Sequence, residues 1–126
     1  MIEELSERLG DSVYAVAGKH LSDDMLSIIG CMDVMVGVRL HSLIYAAIMD
    51  VPCIGISYDP KVDSFMESIA QYTVSSTGDF TLDRFKEVFD DTVMRREDLS
   101  RAARERVTQL KKRLDVNEDI IKALMQ

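Results

Sequence analysis

Several residue types are scarce in this chain of 126 residues, and each scarcity excludes a class of protein. The sequence has no tryptophan, 6% aromatic residues, two cysteines, two prolines and six glycines. These contents exclude a disulfide scaffold, a collagen-like chain and a low-complexity chain. Basic residues are outnumbered, with 15 Lys and Arg against 22 Asp and Glu and a net charge of -7. General attraction to nucleic acid or to anionic lipid is therefore not expected.

The chain also lacks a long apolar run. Its longest strongly apolar stretch, residues 43–49, is much shorter than the roughly 20 residues that span a bilayer. The first ten residues, MIEELSERLG, lack the basic start and apolar run of a secretory signal. We therefore expect a cytoplasmic protein without a transmembrane segment. We expect both cysteines, Cys31 and Cys53, to be reduced and buried, because neither has a second Cys or His at metal-binding spacing.

Short apolar runs alternate with helical patterns in the first part of the sequence. Strands are predicted at residues 12–17, 33–38, 53–57 and 72–75. One helix is predicted after Ser22 and one after Ser42, each with that serine as its N-cap, and a third at residues 62–70. The continuous apolar run at residues 34–38 favours a parallel strand covered on both faces. Repeated βα units predict an α/β fold, a Rossmann-like parallel sheet with flanking helices and right-handed crossovers.

The sequence changes character after residue 79, where it holds no Pro or Gly and is dense in charge. We predict a Rossmann-like core at residues 1–78 and a helical C-terminal extension at residues 79–126, packed on the same domain by an apolar stripe. The alternative is that the extension contacts another domain or subunit. The stripe consists of Leu82, Phe85, Val88, Phe89, Leu99, Ala103, Val107, Leu110, Leu114, Ile121 and Leu124.

Cationic side chains follow three of the predicted strands. In a parallel α/β sheet, ligands bind at the carboxyl ends of the strands, where helix N-termini present free amides. The segments at residues 18–20, 37–42 and 57–63 fall there, and they hold both histidines together with one arginine and two lysines. We therefore expect a local anion-binding site in a protein that is acidic overall.

Arg39, His41 and Lys61 are the strongest candidates in these segments. An arginine can hold a carboxylate or phosphate through two hydrogen bonds, a histidine can transfer a proton near neutral pH, and a lysine can contact a phosphate oxygen. The structural alternatives are an Arg paired with a nearby Asp, a His that caps a helix and a solvated Lys. Asp59 or Asp63 is expected to cap the helix after Pro60.

The chain lacks the G-x-G-x-x-G, Walker A and nucleophile-elbow motifs and has no paired metal ligands. Its residues 32–69 instead resemble the C-terminal half of polysaccharide pyruvyl transferases, particularly the bacterial branch that modifies secondary cell-wall polymers. The motif G-x-R-L-H at residues 37–41, followed by G-I-S-Y-D-P-K at residues 55–61, carries this resemblance. The resemblance extends over residues 15–75 and includes the helical extension only loosely.

The resemblance implies the C-terminal half of a GT-B-like enzyme with two Rossmann-like domains and a cleft between them. Such enzymes transfer pyruvate from phosphoenolpyruvate to two hydroxyls of a sugar such as N-acetylmannosamine, forming a ketal and releasing phosphate. Phosphoenolpyruvate is a donor substrate, and neither a cofactor nor a metal is expected. A lipid-linked saccharide acceptor would bring the protein to the inner face of the membrane. The chain is expected to begin at the crossover into the second domain, to need an N-terminal domain or companion chain, and to be inactive alone.

By the same resemblance, Arg39 and His41 are the catalytic candidates, with Arg39 on the carboxylate or phosphate and His41 in proton transfer or phosphate binding. Lys61 would contact the phosphate. The other candidates for substrate binding are Gly37, Leu40, Ser42 and Tyr58, followed by Lys19, His20 and Asp59.

Two other functions remain open at this point. One is the nucleotide-binding half of a GT-B glycosyltransferase or sugar-nucleotide epimerase, for which Asp63 or Glu67 would have to contact a ribose. The other is a non-catalytic interaction module in which the charged helical extension binds a partner chain.

Overall fold

In the part of the chain that the structure describes, a three-stranded parallel sheet with helices on both faces forms the centre. The computed structural model describes residues 2–13, 22–75, 80–114 and 125. The elements are α1 Ile2–Leu9, a 3-10 turn Gly10–Ser12, α2 Ser22–Gly30, β1 Met35–Gly37, α3 Leu40–Ile48, β2 Cys53–Ser57, α4 Pro60–Ser68, β3 Tyr72–Ser75, α5 Leu82–Met94 and α6 Arg96–Leu114. The predicted α/β Rossmann-like fold is confirmed.

The sheet has the strand order β1-β2-β3, and both pairs are parallel. Met35 pairs with Cys53, and Ile54 pairs with Tyr72. Because all three strands run in the same direction, their carboxyl ends meet at one edge of the sheet. Strands β2 and β3 have the predicted bounds. The strand predicted at residues 12–17 lies mostly outside the described residues, and its first residue, Ser12, belongs to the 3-10 turn instead.

Helices α3 and α4 pack on one face of the sheet. Their buried side chains, together with residues of α2, β2 and the adjoining connections, form the larger core, and α6 covers part of it. The buried members are Ile29, Leu43, Ala46, Ala47, Val51, Cys53, Val62, Met66 and Ile69. Gly55 of β2 makes this packing possible, because a Cβ there would lie 3.0 Å from Met66 Cγ and 3.3 Å from Leu43 Cδ1. Each buried Ile, Leu, Val or Met side chain of this core contributes roughly 1.5–3 kcal/mol to folding.

Helix α5 covers the opposite face, where Ile54 and Val74 pack against Val88. The prediction of an apolar face on α5 is right for Phe85 and Val88. It is wrong for Leu82 and Phe89, which are 76% and 37% exposed, because neither side chain packs against this cluster.

Two other predictions of burial are wrong. Val36 and Val38 are 37% and 48% exposed, because β1 is an edge of the described sheet and α5 contacts β2 and β3. Cys31 is exposed in the turn that follows α2. Cys53, at the start of β2, is buried as predicted, and burial raises the pKa of its thiol to about 12. Both cysteines are free thiols.

The C-terminal extension is helical, as predicted, with a break at Arg95 between α5 and α6. At this break the hydroxyl of Tyr72 donates to Asp91 Oδ2 at 2.5 Å, and Arg95 donates to the same hydroxyl. The predicted stripe residues Ile121 and Leu124 lie outside the described residues. Within the described part of the chain, no helix is long and apolar enough to cross a membrane.

Candidate functional site

An open pocket of about 670 Å³ lies at the carboxyl edge of the sheet, between the connections that leave β1 and β2. Its walls are formed by residues that directly follow the two strands. Because the strands are parallel neighbours, these two segments lie together although they are some twenty residues apart in the sequence. The lining residues are Val38, Arg39, Leu40, His41, Tyr58, Asp59, Lys61 and Val62.

The first wall is the connection from β1 to α3. Arg39 is the N-cap of α3, with φ -89° and ψ 136°, and makes no side-chain capping hydrogen bond. The prediction of Ser42 as the N-cap is therefore wrong. The helix begins earlier, at Leu40, and the Ser42 hydroxyl in its first turn donates to the carbonyl oxygen of Arg39 at 2.7 Å. This early start places both Arg39 and His41 beside the pocket.

The second wall is the connection from β2 to α4. Asp59 caps α4, as predicted, because its Oδ1 accepts a hydrogen bond of 2.9 Å from the backbone N–H of Lys61. Pro60 occupies the first position of the helix, where its fixed φ and missing N–H cost nothing. The hydroxyl of the buried Ser57 donates to the carbonyl of Asp59 at 3.1 Å. These bonds fix the backbone from which Lys61 extends.

The lining of the pocket carries more positive than negative formal charge, with Arg39 and Lys61 against Asp59. Within the described residues, neither Arg39 nor Lys61 forms an ion pair, and His41 has no side-chain hydrogen bond. Asp59 is the acidic residue on the lining, and one of its oxygens is occupied by the amide of Lys61. An anion with oxygen acceptors would find two permanent cations and an imidazole here.

The structure brings together six of the side chains predicted as site residues, namely Arg39, Leu40, His41, Tyr58, Asp59 and Lys61. Gly37 and Ser42 lie next to this group but do not line the pocket. Lys19 and His20 fall outside the described residues. Val38 and Val62 line the pocket and were not predicted, although their positions next to a strand end and a helix start are a usable signal.

The structure also contains a pocket that sequence analysis did not predict. It has a volume of about 410 Å³ and lies at the opposite, amino edge of the sheet, and its lining includes Asp33, Asp50, Arg96, Glu97, Ser100, Arg101 and Arg104. Arg104 Nε lies 3.2 Å from Asp50 Oδ2, and the Ser100 hydroxyl donates to the carbonyl of Asp50 at 2.6 Å. Three basic and three acidic residues balance each other in this lining.

Within the described ranges, no group of three or more His, Cys, Asp or Glu side chains could hold a metal ion. The ribose contact required for a nucleotide-binding domain is not evident either, because neither Asp63 nor Glu67 lines the carboxyl-edge pocket.

Fold and pocket together define a Rossmann-like α/β domain with a cationic pocket at the carboxyl edge of its sheet. Residues 2–60 match the family model described as polysaccharide pyruvyl transferase, which confirms the resemblance predicted from the sequence. The matched residues make up slightly less than half of the chain. The match includes Arg39 and His41 and ends at Pro60, directly before Lys61. No match to a curated protein or to a solved structure is found.

Proposed function

We propose that this chain carries the phosphoenolpyruvate-binding part of a polysaccharide pyruvyl transferase, which attaches pyruvate as a ketal to a sugar of a cell-wall polysaccharide. One observation carries the proposal: Arg39, His41 and Lys61 line one pocket without acidic partners among the described residues. The family match over residues 2–60 supports the same activity. The pocket volume, about 670 Å³, lies within the range of small-molecule sites.

The chemistry of the donor fits these side chains. Phosphoenolpyruvate carries a carboxylate and a phosphate, so a site for it needs several cations in fixed positions. In the proposed complex Arg39 holds the carboxylate or the phosphate through two hydrogen bonds, and Lys61 contacts phosphate oxygens as a point charge. His41 donates a hydrogen bond to the phosphate or transfers a proton.

The proposed reaction begins when a proton adds to the methylene carbon of phosphoenolpyruvate, which leaves an oxocarbenium-like centre at the adjacent carbon. One sugar hydroxyl attacks this centre and loses its proton, which balances the first step. The bond from this carbon to the phosphate oxygen then breaks, and phosphate leaves with the electron pair. The second hydroxyl forms the other C–O bond of the ketal, and its proton leaves with phosphate. Positive side chains at the phosphate favour its departure.

The remaining part of the active site is proposed to come from a further domain or companion chain that binds the sugar or lipid-linked saccharide. The pocket is open toward solvent on the side of Tyr58, which is 60% exposed, so a second surface can approach it there.

Titration calorimetry tests the choice of ligand. Phosphoenolpyruvate should bind to the chain, whereas UDP-N-acetylglucosamine should give no heat of binding, because the pocket has cations for a small anion and neither Asp63 nor Glu67 lines it to contact a ribose. Binding of the UDP-sugar without binding of phosphoenolpyruvate would contradict the proposal and favour the nucleotide-binding half of a glycosyltransferase.

A further inference from the structure

We propose that Ser42 is a positioning residue for the carboxyl-edge pocket, with Gly37 making room for it. In this role the hydroxyl of Ser42 holds the carbonyl of Arg39 and thereby sets the direction in which Arg39 and His41 reach the ligand. The identity of the ligand, phosphoenolpyruvate, rests on the function proposed above. The role differs from the direct substrate contact that the sequence predicts for Ser42, because its side chain does not line the pocket.

The first support is the hydrogen bonding of one carbonyl group. The Arg39 oxygen accepts from Ser42 Oγ at 2.7 Å and from the backbone N–H of Leu43 at 3.4 Å, so the bond from the hydroxyl is the shorter of the two. Arg39 makes no capping bond with its own side chain. The serine hydroxyl is thus the main group that ties the N-cap residue to the first turn of α3.

The second support is the space around the hydroxyl. Gly37 is buried at the end of β1, and a Cβ on this residue would lie 2.7 Å from Ser42 Oγ and 3.0 Å from Leu43 Cδ2. The first of these distances is too short for two non-bonded atoms, so an alanine at position 37 would displace the hydroxyl from Arg39. Two different substitutions, at positions 37 and 42, therefore perturb the same hydrogen bond.

A matched control for Ser42 exists in the next helix. Ser68 Oγ donates to the carbonyl of Phe65 at 2.6 Å, across the same three-residue separation, and both serines are half-buried. Ser68 ends α4, whereas the pocket lies at the start of that helix. Ser68→Ala should therefore cost similar stability without changing the pocket.

The experiment compares phosphoenolpyruvate affinity and melting temperature for the full chain and its Ser42→Ala, Ser68→Ala, Gly37→Ala and Gly37→Ala/Ser42→Ala variants. Ser42→Ala should weaken binding about fivefold, the effect of losing one typical hydrogen bond that orders the cationic segment. Ser68→Ala should lower the melting temperature by a similar amount and retain the original affinity. Gly37→Ala should weaken binding strongly with Ser42 present and less when Ser42 is already alanine.

Equal affinity of Ser42→Ala and Ser68→Ala would overturn the positioning role, because loss of the hydrogen bond would then affect stability alone. This comparison needs no folded Gly37 variant. A chain that binds no phosphoenolpyruvate before any substitution would instead overturn the proposed function, so the two failures are distinguishable.

Discussion

The two edges of the sheet carry pockets that differ in how their charges are used. At the carboxyl edge, Arg39 and Lys61 have no acidic partner among the described residues. At the amino edge, Arg104 pairs with Asp50, and three arginines face three acidic residues. The first arrangement leaves two unpaired cations for a ligand, whereas the second pairs Arg104 with Asp50 and has equal numbers of basic and acidic side chains.

The ends of helices α3 and α4 form part of the backbone at the amino edge. Helices α3 and α4 both end at the amino edge in a Schellman motif, in which Val51 N–H donates to Ala46 and Gln71 N–H donates to Met66. The residue after each helical cap has a positive φ, 59° at Asp50 and 57° at Ala70. The chain therefore turns from helix to strand at this edge through a left-handed conformation that costs energy for residues other than glycine.

Gln71 connects the amino edge to the C-terminal extension. Its buried side-chain amide donates to the carbonyl of Leu99 at 2.9 Å and to the carbonyls of Ile69 and Ala70, while its oxygen accepts from the N–H of Cys53 at 3.3 Å. One side chain thus joins α4, β2 and α6. Side-chain bonds to Asp50 and from Gln71 thus tie α6 to the amino edge, whereas Arg39 and Lys61 at the carboxyl edge form no ion pair among the described residues.

If this division is right, the largest loss of binding follows from removing the free cations. Arg39→Ala/Lys61→Ala should weaken phosphoenolpyruvate binding about 100-fold or more, because two charge-assisted contacts are lost. The free energy of unfolding should change by about 0.5 kcal/mol or less, since both side chains are exposed and unpaired. Calorimetry and urea unfolding measure the two quantities.

The matched control at the other edge is Arg101→Ala/Arg104→Ala, which removes the same charge from α6. This variant should keep the original affinity. A loss as large as that of the first variant would show that overall charge, rather than the carboxyl-edge pocket, attracts the anion.

The next largest effect should be on stability at the amino edge. Gln71→Ala should lower the free energy of unfolding by about 2–3 kcal/mol, because it leaves the buried N–H of Cys53 without its partner and removes the bond to Leu99. Phosphoenolpyruvate affinity of the folded protein should not change. Gln109→Ala, at an exposed position of α6, should alter stability little in the same urea titration. Similar losses for both variants would refute the role of the Gln71 network.

The smallest effect concerns the strained turn after α4. Ala70→Gly should raise the free energy of unfolding by about 0.5–1 kcal/mol, because glycine adopts a positive φ without steric cost. Ala102→Gly, in the interior of α6, should lower it by about 1 kcal/mol. Thermal unfolding should therefore show a gain of stability for Ala70→Gly and a loss for Ala102→Gly. A loss of stability in both variants would contradict strain at Ala70.

The fold and the carboxyl-edge site were predictable from local signals. Strands β2 and β3 are apolar runs bounded by polar or turn residues, and their predicted bounds match the structure. Arg39, His41 and Lys61 directly follow strands, so parallel strand order alone places them at one edge. The bond from Ser42 to Arg39 was not predictable in this way, because the hydroxyl occupies space beside Gly37, and that space depends on how β1 packs against α3.

The amino edge was missed for a related reason. Its contacts join distant parts of the chain, since Arg104 and Ser100 on α6 both bind Asp50, which precedes β2. No local period or motif marks such pairs. Cys31 and Val36 show the opposite error, because apolar neighbours in the sequence predicted burial at positions where no described element covers them.

If phosphoenolpyruvate binds at the carboxyl edge and not at the amino edge, the two edges of the sheet must respond differently to it. An NMR titration of the isotope-labelled chain with phosphoenolpyruvate tests this difference directly, because every assigned backbone amide reports on its own surroundings. The account predicts saturable shifts for residues 38–41 and 58–62, with residues 32–33 and 96–104 unchanged. Shifts confined to residues 96–104, or no saturable shift at any amide, would contradict it.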